Sequence, residues 1–530
     1  FEVNPIMAAD LERRPYLHIP RRLNIAEAIV DRHVAAGRGD KIAAWTGDRG
    51  YSYAELRELS NRFGNVLRGL GVRAGDRVML RLGTNIYSMV AILGAFKIGA
   101  VVIPSNFLFR DHEVAKILRN SEASVAVTTE ELAPPIAVTR DQAPSLKHII
   151  ITDQNDELSW RRLMERASSE LTLEPTSADQ LAFIIYTSGT TGEPKGVEQA
   201  HRWILGAGDP VNRVMVRLSP DDVCYQPQDW SFIYPLGSSF FFPLLFGAST
   251  VIHEGRFDPE AALHTIKRRG VTVMCAVPTI YRMMAAITDA NARSGLRTLR
   301  MGVSAGEALP EDTFRDWQER LGVTLHDGIG QTECHIFIGN QLGARIKPGS
   351  MGKPLPGYDV SVLDDSGAPC PAGQPGHLAF RNNHPGLALG YRNDPERWAA
   401  VNRDGWYYTK DICHVDDEGY YWYLSRSDDL IKSRAYLISP KEVEPVLMEH
   451  PAVLEAAVVG LDAAGGEHRV KAFLTLKSGY QADDSLAGEI KAYVRNAIAP
   501  YKVPQEIEFI AELPKTANGK ILRRELRARG

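Results

Sequence analysis

Cysteine is scarce in this 530-residue chain: there are five, at Cys224, Cys275, Cys334, Cys370 and Cys413, with no CxxC pair. An odd total without paired spacing excludes a zinc ribbon or a disulfide scaffold. It suits a reducing compartment, so a cytoplasmic location is expected. A basic excess is also missing, since 61 Lys and Arg stand against 65 Asp and Glu, a net charge of −4. No positive field is available for a nucleic-acid backbone, and nucleic acid is not an expected partner. The opening FEVNPIMAADLERRPYLHIPRR lacks the apolar core of a secretory signal. Phe1 in place of Met leads to the expectation that the true start lies upstream. Residues 230–252 are uncharged and long enough to cross a bilayer. Pro235, Gly237, Pro243 and Gly247 interrupt them, which favours a buried segment lining an apolar pocket over a membrane span.

Hydrophobic residues make up 44% and charged residues 24%, the balance of a soluble protein, and the length requires more than one core. Residues 53–70 have the apolar spacing of an amphipathic helix, and residues 76–82, 99–104 and 123–129 read as strands. Such alternation predicts an α/β fold with a mostly parallel sheet. The texture changes after the aromatic strand YYWYL (420–424), at the polar run SRSDDLIK (425–432). A helix over 440–449 and strands over 454–459 and 470–476 follow, within a segment the size of a small domain. The reading is a large N-terminal domain over 1–425, of mixed sheets flanked by helices. A hinge over 426–429 leads to a small, mobile α+β domain over 430–530.

Three motifs carry chemistry. Residues 186–196, YTSGTTGEPKG, follow the apolar run LAFIIY and gather hydroxyls, glycines and Lys195. Hydroxyls and exposed N–H groups donate, glycine lets the backbone close around a ligand, and lysine adds a charge suited to phosphate. A Walker A loop is disfavoured, because Pro194 stands at its second glycine and Gly196 at its Ser/Thr. DGIGQTE (327–333) places two carboxylates, two glycines, Gln331 and Thr332 within seven residues, a mixture that suits a Mg²⁺-nucleotide site. GVSAGEALP (302–310) contains GxSxG around Ser304, the nucleophile elbow of α/β-hydrolases, so a serine hydrolase is a rival reading.

Taken together and in this order, the motifs closely resemble those of the adenylate-forming superfamily. The opening stretch 22–43 looks like benzoate- and aminobenzoate-CoA ligases, and 347–364 with the C-terminal region like medium-chain acyl-CoA synthetases. The resemblance implies that Thr187, Ser188, Gly189, Thr190, Thr191 and Lys195 hold the ATP β- and γ-phosphates. It implies that Gly306, Glu307 and Ala308 line the adenine pocket, that Ile329 flanks adenine, and that Asp327, Gly328, Gly330 and Gln331 bind the nucleotide. Thr332 would contact the α-phosphate and Glu333 would assist Mg²⁺. Asp411 and Arg426 would bind ribose, Asp428 would be the hinge, and Lys520 in PKTANGK the catalytic lysine. Trp230, Phe232, Tyr234, Ser304, Ala305, His335, Ile336 and Phe337 are candidates for the acid pocket.

The implied activity is an AMP-forming acid–CoA ligase using ATP, Mg²⁺ and CoA on an apolar aryl or short- to medium-chain acid. A lysine acetyltransferase and deacetylase acting on Lys520 are conceivable partners, since acetylation removes its charge. Two departures from the family pattern stand out. Lys410 replaces a glycine before Asp411, and KSRAYLI (432–438) has Ala435 and Leu437 where relatives have Gly and Arg. The second affects the strand that lines the thiol tunnel, so an adenylating enzyme with a non-CoA acceptor stays open. So do the hydrolase and a silent nucleotide binder.

Overall fold

Ser52 starts the first long helix by a reciprocal cap. Its Oγ accepts from the Glu55 amide at 3.1 Å, and Glu55 Oε2 accepts from the Ser52 amide at 2.8 Å. The helix α1 (Tyr53–Gly69) then buries Leu56, Phe63 and Leu67 in the main core, together with Met89, Ile92 and Phe96 of α2 (Ile86–Lys97). Each such side chain contributes roughly 1.5–3 kcal/mol on leaving water. The computed structural model describes residues 19–154, 158–188, 194–287, 296–433, 436–462, 468–515 and 521–529.

The predicted helix over 53–70 is α1, and the predicted strands are present as Arg77–Arg81, Val101–Pro104 and Val125–Thr128. The strands that carry the candidate site are β1 (Leu181–Ser188), β2 (Pro194–Ala200), β3 (Met301–Ala305), β4 (Leu325–Gln331), β5 (His335–Gly339), β6 (Gly390–Tyr391), β7 (Trp406–Val415) and β8 (Tyr421–Arg426).

The chain divides into two compact units, residues 1–359 with 380–407, and residues 360–379 with 408–530. The first contains two large sheets, in keeping with the expected domain of mixed sheets. Among the described residues, one has the order β6, β2, β1, Val101–Pro104, Arg77–Arg81, Val125–Thr128, His148–Ile151. The other runs Lys353–Pro354, β5, β4, β3, Val273–Ala276, Val223–Tyr225, Ser249–Val251, Ile42–Thr46, Arg49–Ser52. Both are parallel inside and antiparallel at an edge, so the parallel expectation holds for the interior strands. Buried apolar runs announce strands but not their partners, which is why the strand order within each sheet is not readable from the sequence.

Residues 230–252 fold into short helical turns and the strand Ser249–Val251, buried in the first unit's core. Among the described residues no helix is long and apolar enough to cross a membrane.

In the second unit, strands Val453–Asp462, His468–Leu476 and Glu506–Phe509 form a sheet. Helices Pro440–Glu449 and Asp484–Ala497 share its core through Val443, Leu447, Ile490 and Val494. The segment read as a hinge, 426–429, lies within this unit.

Candidate active site

β1 is buried from Ala182 to Tyr186, and β2 returns against it with Thr187 opposite Lys195 and Ser188 opposite Pro194. The antiparallel ladder therefore takes in Thr187, Ser188, Pro194 and Lys195 of the hydroxyl-rich segment. Gly189, Thr190 and Thr191 lie outside the described residues. Thr187 and Lys195 are strand residues, so the lysine is mounted on a rigid element.

Lys195 Nζ lies 2.7 Å from Glu333 Oε1, and the Tyr391 hydroxyl donates to the same oxygen at 2.7 Å. Lys195 also donates to Tyr391 Oη at 3.2 Å and stands 4.3 Å over the tyrosine ring. Burial acts to raise the Glu333 pKa. The Lys195 charge, with hydrogen bonds from Lys195 and Tyr391, overcomes it and holds the carboxyl below the usual glutamate range.

Glu333 sits in the turn between β4 and β5. A Cβ on Gly330 would lie 2.3 Å from the His335 carbonyl oxygen, so only glycine permits this approach. The neighbouring strand alone therefore requires a glycine at this position. Around the turn, Gln199 Nε2 donates to the Thr332 carbonyl at 2.7 Å, and Tyr407 Oη donates to Gln331 Oε1 at 2.9 Å. Among the described residues no cluster of three metal-ligating side chains exists. A single buried carboxylate fits Mg²⁺, which takes one or two carboxylates and completes its shell with water and substrate phosphates.

β3 and β4 pair in parallel with Ser304 opposite Asp327. Burial pushes the Asp327 carboxyl up to about 7, and its Oδ1 is a buried acceptor with no protein partner. Gly306 follows β3 at φ +92°, a backbone region that side chains rarely adopt, and turns the chain so that Gly306 and Ala308 are exposed. Glu307 Oε2 accepts from Thr279 Oγ1 at 3.3 Å. The hydrolase rival fails here. Ser304 is fully buried inside the strand, whereas an elbow presents its serine on an exposed turn, and no histidine is bonded to its Oγ.

Tyr234 and His335 come together with ring centroids 5.9 Å apart, and Tyr234 Oη donates to the Val303 carbonyl at 2.8 Å. Phe242 and Trp203 flank the imidazole at 4.8 and 5.8 Å. Burial holds His335 down to about 3, so the ring is neutral, and its Nδ1 has no protein partner. Trp230 stands in the main core, bonded through Nε1 to Ser239 Oγ at 2.9 Å. Phe232 is half-buried, and Ala305, Ile336 and Phe337 are buried.

In the second unit, Asp411 and Arg426 face each other across β7 and β8, joined at 2.9 Å. Lys410 adopts φ +64°, which explains a family glycine at this position, and its Nζ lies 3.7 Å from Asp428 Oδ2. Lys432 pairs with Leu437 between two short antiparallel strands, Ile431–Ser433 and Tyr436–Ile438. Ala435 and Lys520 lie outside the described residues.

Tyr391, Gln199 and Tyr407 escaped the sequence reading. Each reaches its partner across 58 to 196 residues of chain, and no local pattern encodes such a contact.

The sequence pattern of the AMP-binding enzyme family matches residues 31–392, and that of the AMP-binding enzyme C-terminal domain matches 442–520. Benzoate–CoA ligase of Thauera aromatica is 40% identical over 517 residues, 97% of each chain. The mitochondrial acyl-coenzyme A synthetase ACSM3 of Homo sapiens is 35% identical over 532 residues, covering 96% of this chain and 90% of its own. The crystal structure of the anthranilate CoA ligase AuaEII in complex with anthranoyl-AMP superposes with a TM-score of 0.87. It is 34% identical and covers 99% of both chains.

Proposed function

This chain belongs to the AMP-binding enzyme family and is an AMP-forming carboxylic acid–CoA ligase for aryl or medium-chain acids; we propose that its own acid is a compact aryl carboxylate. ATP and CoA are its co-substrates. The acid's carboxylate attacks the ATP α-phosphate and expels pyrophosphate, giving an acyl-AMP. The CoA thiol then attacks the acyl carbonyl, and AMP leaves.

The observation that carries the site reading is the buried Lys195–Glu333 pair beside Thr187. In this reading Lys195 and Thr187 contact the terminal phosphates and Thr332 the α-phosphate. Glu333 holds Mg²⁺, which when bound neutralises charge on the phosphates. Glu307, Asp327 and the end of β4 from Gly328 to Gln331 line the nucleotide site, with Gly306 and Ala308 and with Ile329 beside adenine. Asp411 and Arg426 grip ribose, and Lys520 stabilises the charge that develops as the α-phosphate is attacked. A hinge at Asp428 turns the region 430–530 against 1–425 between the two half-reactions. Acetylation of Lys520 would remove its charge and silence the first of them. Five cysteines without a disulfide support a reducing, cytoplasmic setting.

Support for an aryl acid comes from the benzoate–CoA and anthranilate–CoA ligases that the chain resembles, and from the cluster of rings that Tyr234, Phe242 and Trp203 form around His335. A panel of benzoates, short branched acids and C6–C12 fatty acids, scored by AMP release with and without CoA, tests the proposal. Benzoates should lead, and a preference for C8 or longer chains would refute it.

A further inference from the structure

We propose that Tyr391 is a positioning residue that keeps Glu333 in place when Lys195 leaves it for the nucleotide phosphates. The inference rests on the reading above, in which Glu333 holds the metal and Lys195 the phosphates. Lys195 and Tyr391 aim their donors at one carboxylate oxygen, Oε1, each at 2.7 Å. Lys195 cannot serve Glu333 and a phosphate at full strength together. When it turns to a phosphate, the buried carboxylate loses its cation, and a buried carboxylate without partners is costly. The Tyr391 hydroxyl is the donor that stays. It is also the group that Lys195 leans on, through Oη at 3.2 Å and over the ring at 4.3 Å. The bond from Tyr391 to Glu333 does not run through Lys195, so it remains when the lysine turns away.

The mounting of Tyr391 supports this role. Tyr391 lies opposite Val197 in the β6–β2 pairing, so it stands on the strand hydrogen-bonded to the one that carries Lys195. The Arg392 amide donates to the Gly196 carbonyl at 2.8 Å and the Leu389 amide to the Glu198 carbonyl at 2.8 Å, fixing the segment on both sides. Trp398 packs edge-on against the ring at 5.0 Å. The Ala388 amide donates to the Glu333 carbonyl at 2.8 Å, so this segment grips Glu333 by its backbone as well.

The test uses the full chain and α,β-methylene-ATP, whose binding is measured by calorimetry in EDTA and in excess Mg²⁺. The ratio of the two dissociation constants reports how much the metal strengthens nucleotide binding. Tyr391→Phe keeps the ring and removes the hydroxyl. It should lower that ratio by about ten- to a hundredfold, the scale of a hydrogen bond to a charged group. The metal-free affinity should change by less than about threefold, since the ring platform for Lys195 remains. Glu333→Gln should collapse the ratio alone, and adding Tyr391→Phe to it should change nothing further. An unchanged ratio in Tyr391→Phe overturns the inference. So does an equal effect in the Glu333→Gln background, because a general loss of structure acts in both. If Glu333→Gln itself leaves the ratio intact, the metal-holding reading of Glu333 falls first.

Discussion

Asp327→Asn is expected to change how stability depends on pH. The wild-type carboxyl is pushed from 3.8 to about 7, chiefly by burial. Between these values the folded chain keeps a proton that the unfolded chain has released. The stabilisation is therefore fully present below pH 3.8 and is lost as pH rises through about 7. A displacement of about 3 pH units corresponds to at most about 4 kcal/mol, at about 1.4 kcal/mol per unit. The amide is nearly isosteric and does not ionise, so the variant lacks this dependence. Urea unfolding of both proteins at pH 5, 6, 7 and 8 gives the difference directly. Comparison matters because the buried histidines His33, His201, His335 and His384 also titrate on unfolding. They contribute equally to both proteins and cancel. The variant should gain on the wild type as pH rises from 5 to 7, then level off. A difference that stays flat across this range would refute the assignment of a neutral, buried acid at Asp327.

Lys410→Gly relieves a non-glycine residue at φ +64° and gives up only the half-exposed contact to Asp428, so it should stabilise the second unit by about 1 kcal/mol; a fall in the urea midpoint would contradict this. Lys520→Ala should reduce acyl-AMP formation by about a hundredfold or more while sparing thioester formation from supplied acyl-AMP; equal loss in both assays would remove Lys520 from the adenylation step. Ala435→Gly with Leu437→Arg should lower the KM for CoA by about three- to tenfold and leave pyrophosphate exchange unchanged, because a cation is returned near a phosphate-bearing substrate; lost exchange would assign the strand to adenylation instead.

The elements that were legible share one property: their signals are local. The helix Tyr53–Gly69 declares itself by apolar spacing and the Ser52–Glu55 cap, within one stretch of chain. The hydroxyl-rich segment after LAFIIY and the DGIGQTE run were found because composition alone marks them. What escaped is the geometry that links them. Lys195 and Glu333 lie 138 residues apart, and the sequence assigned each to a ligand without placing them in contact. The glycines of DGIGQTE show the same limit. Their presence was informative, but Gly330 answers to the carbonyl of His335 on the next strand, a neighbour fixed by pairing. Lys410 makes the converse case: a residue that breaks the family pattern adopts the backbone conformation that the pattern's glycine would have taken. The fold therefore constrains this position more strongly than the residue type does, and the strain of a side chain at positive φ is carried in the strand that presents Asp411.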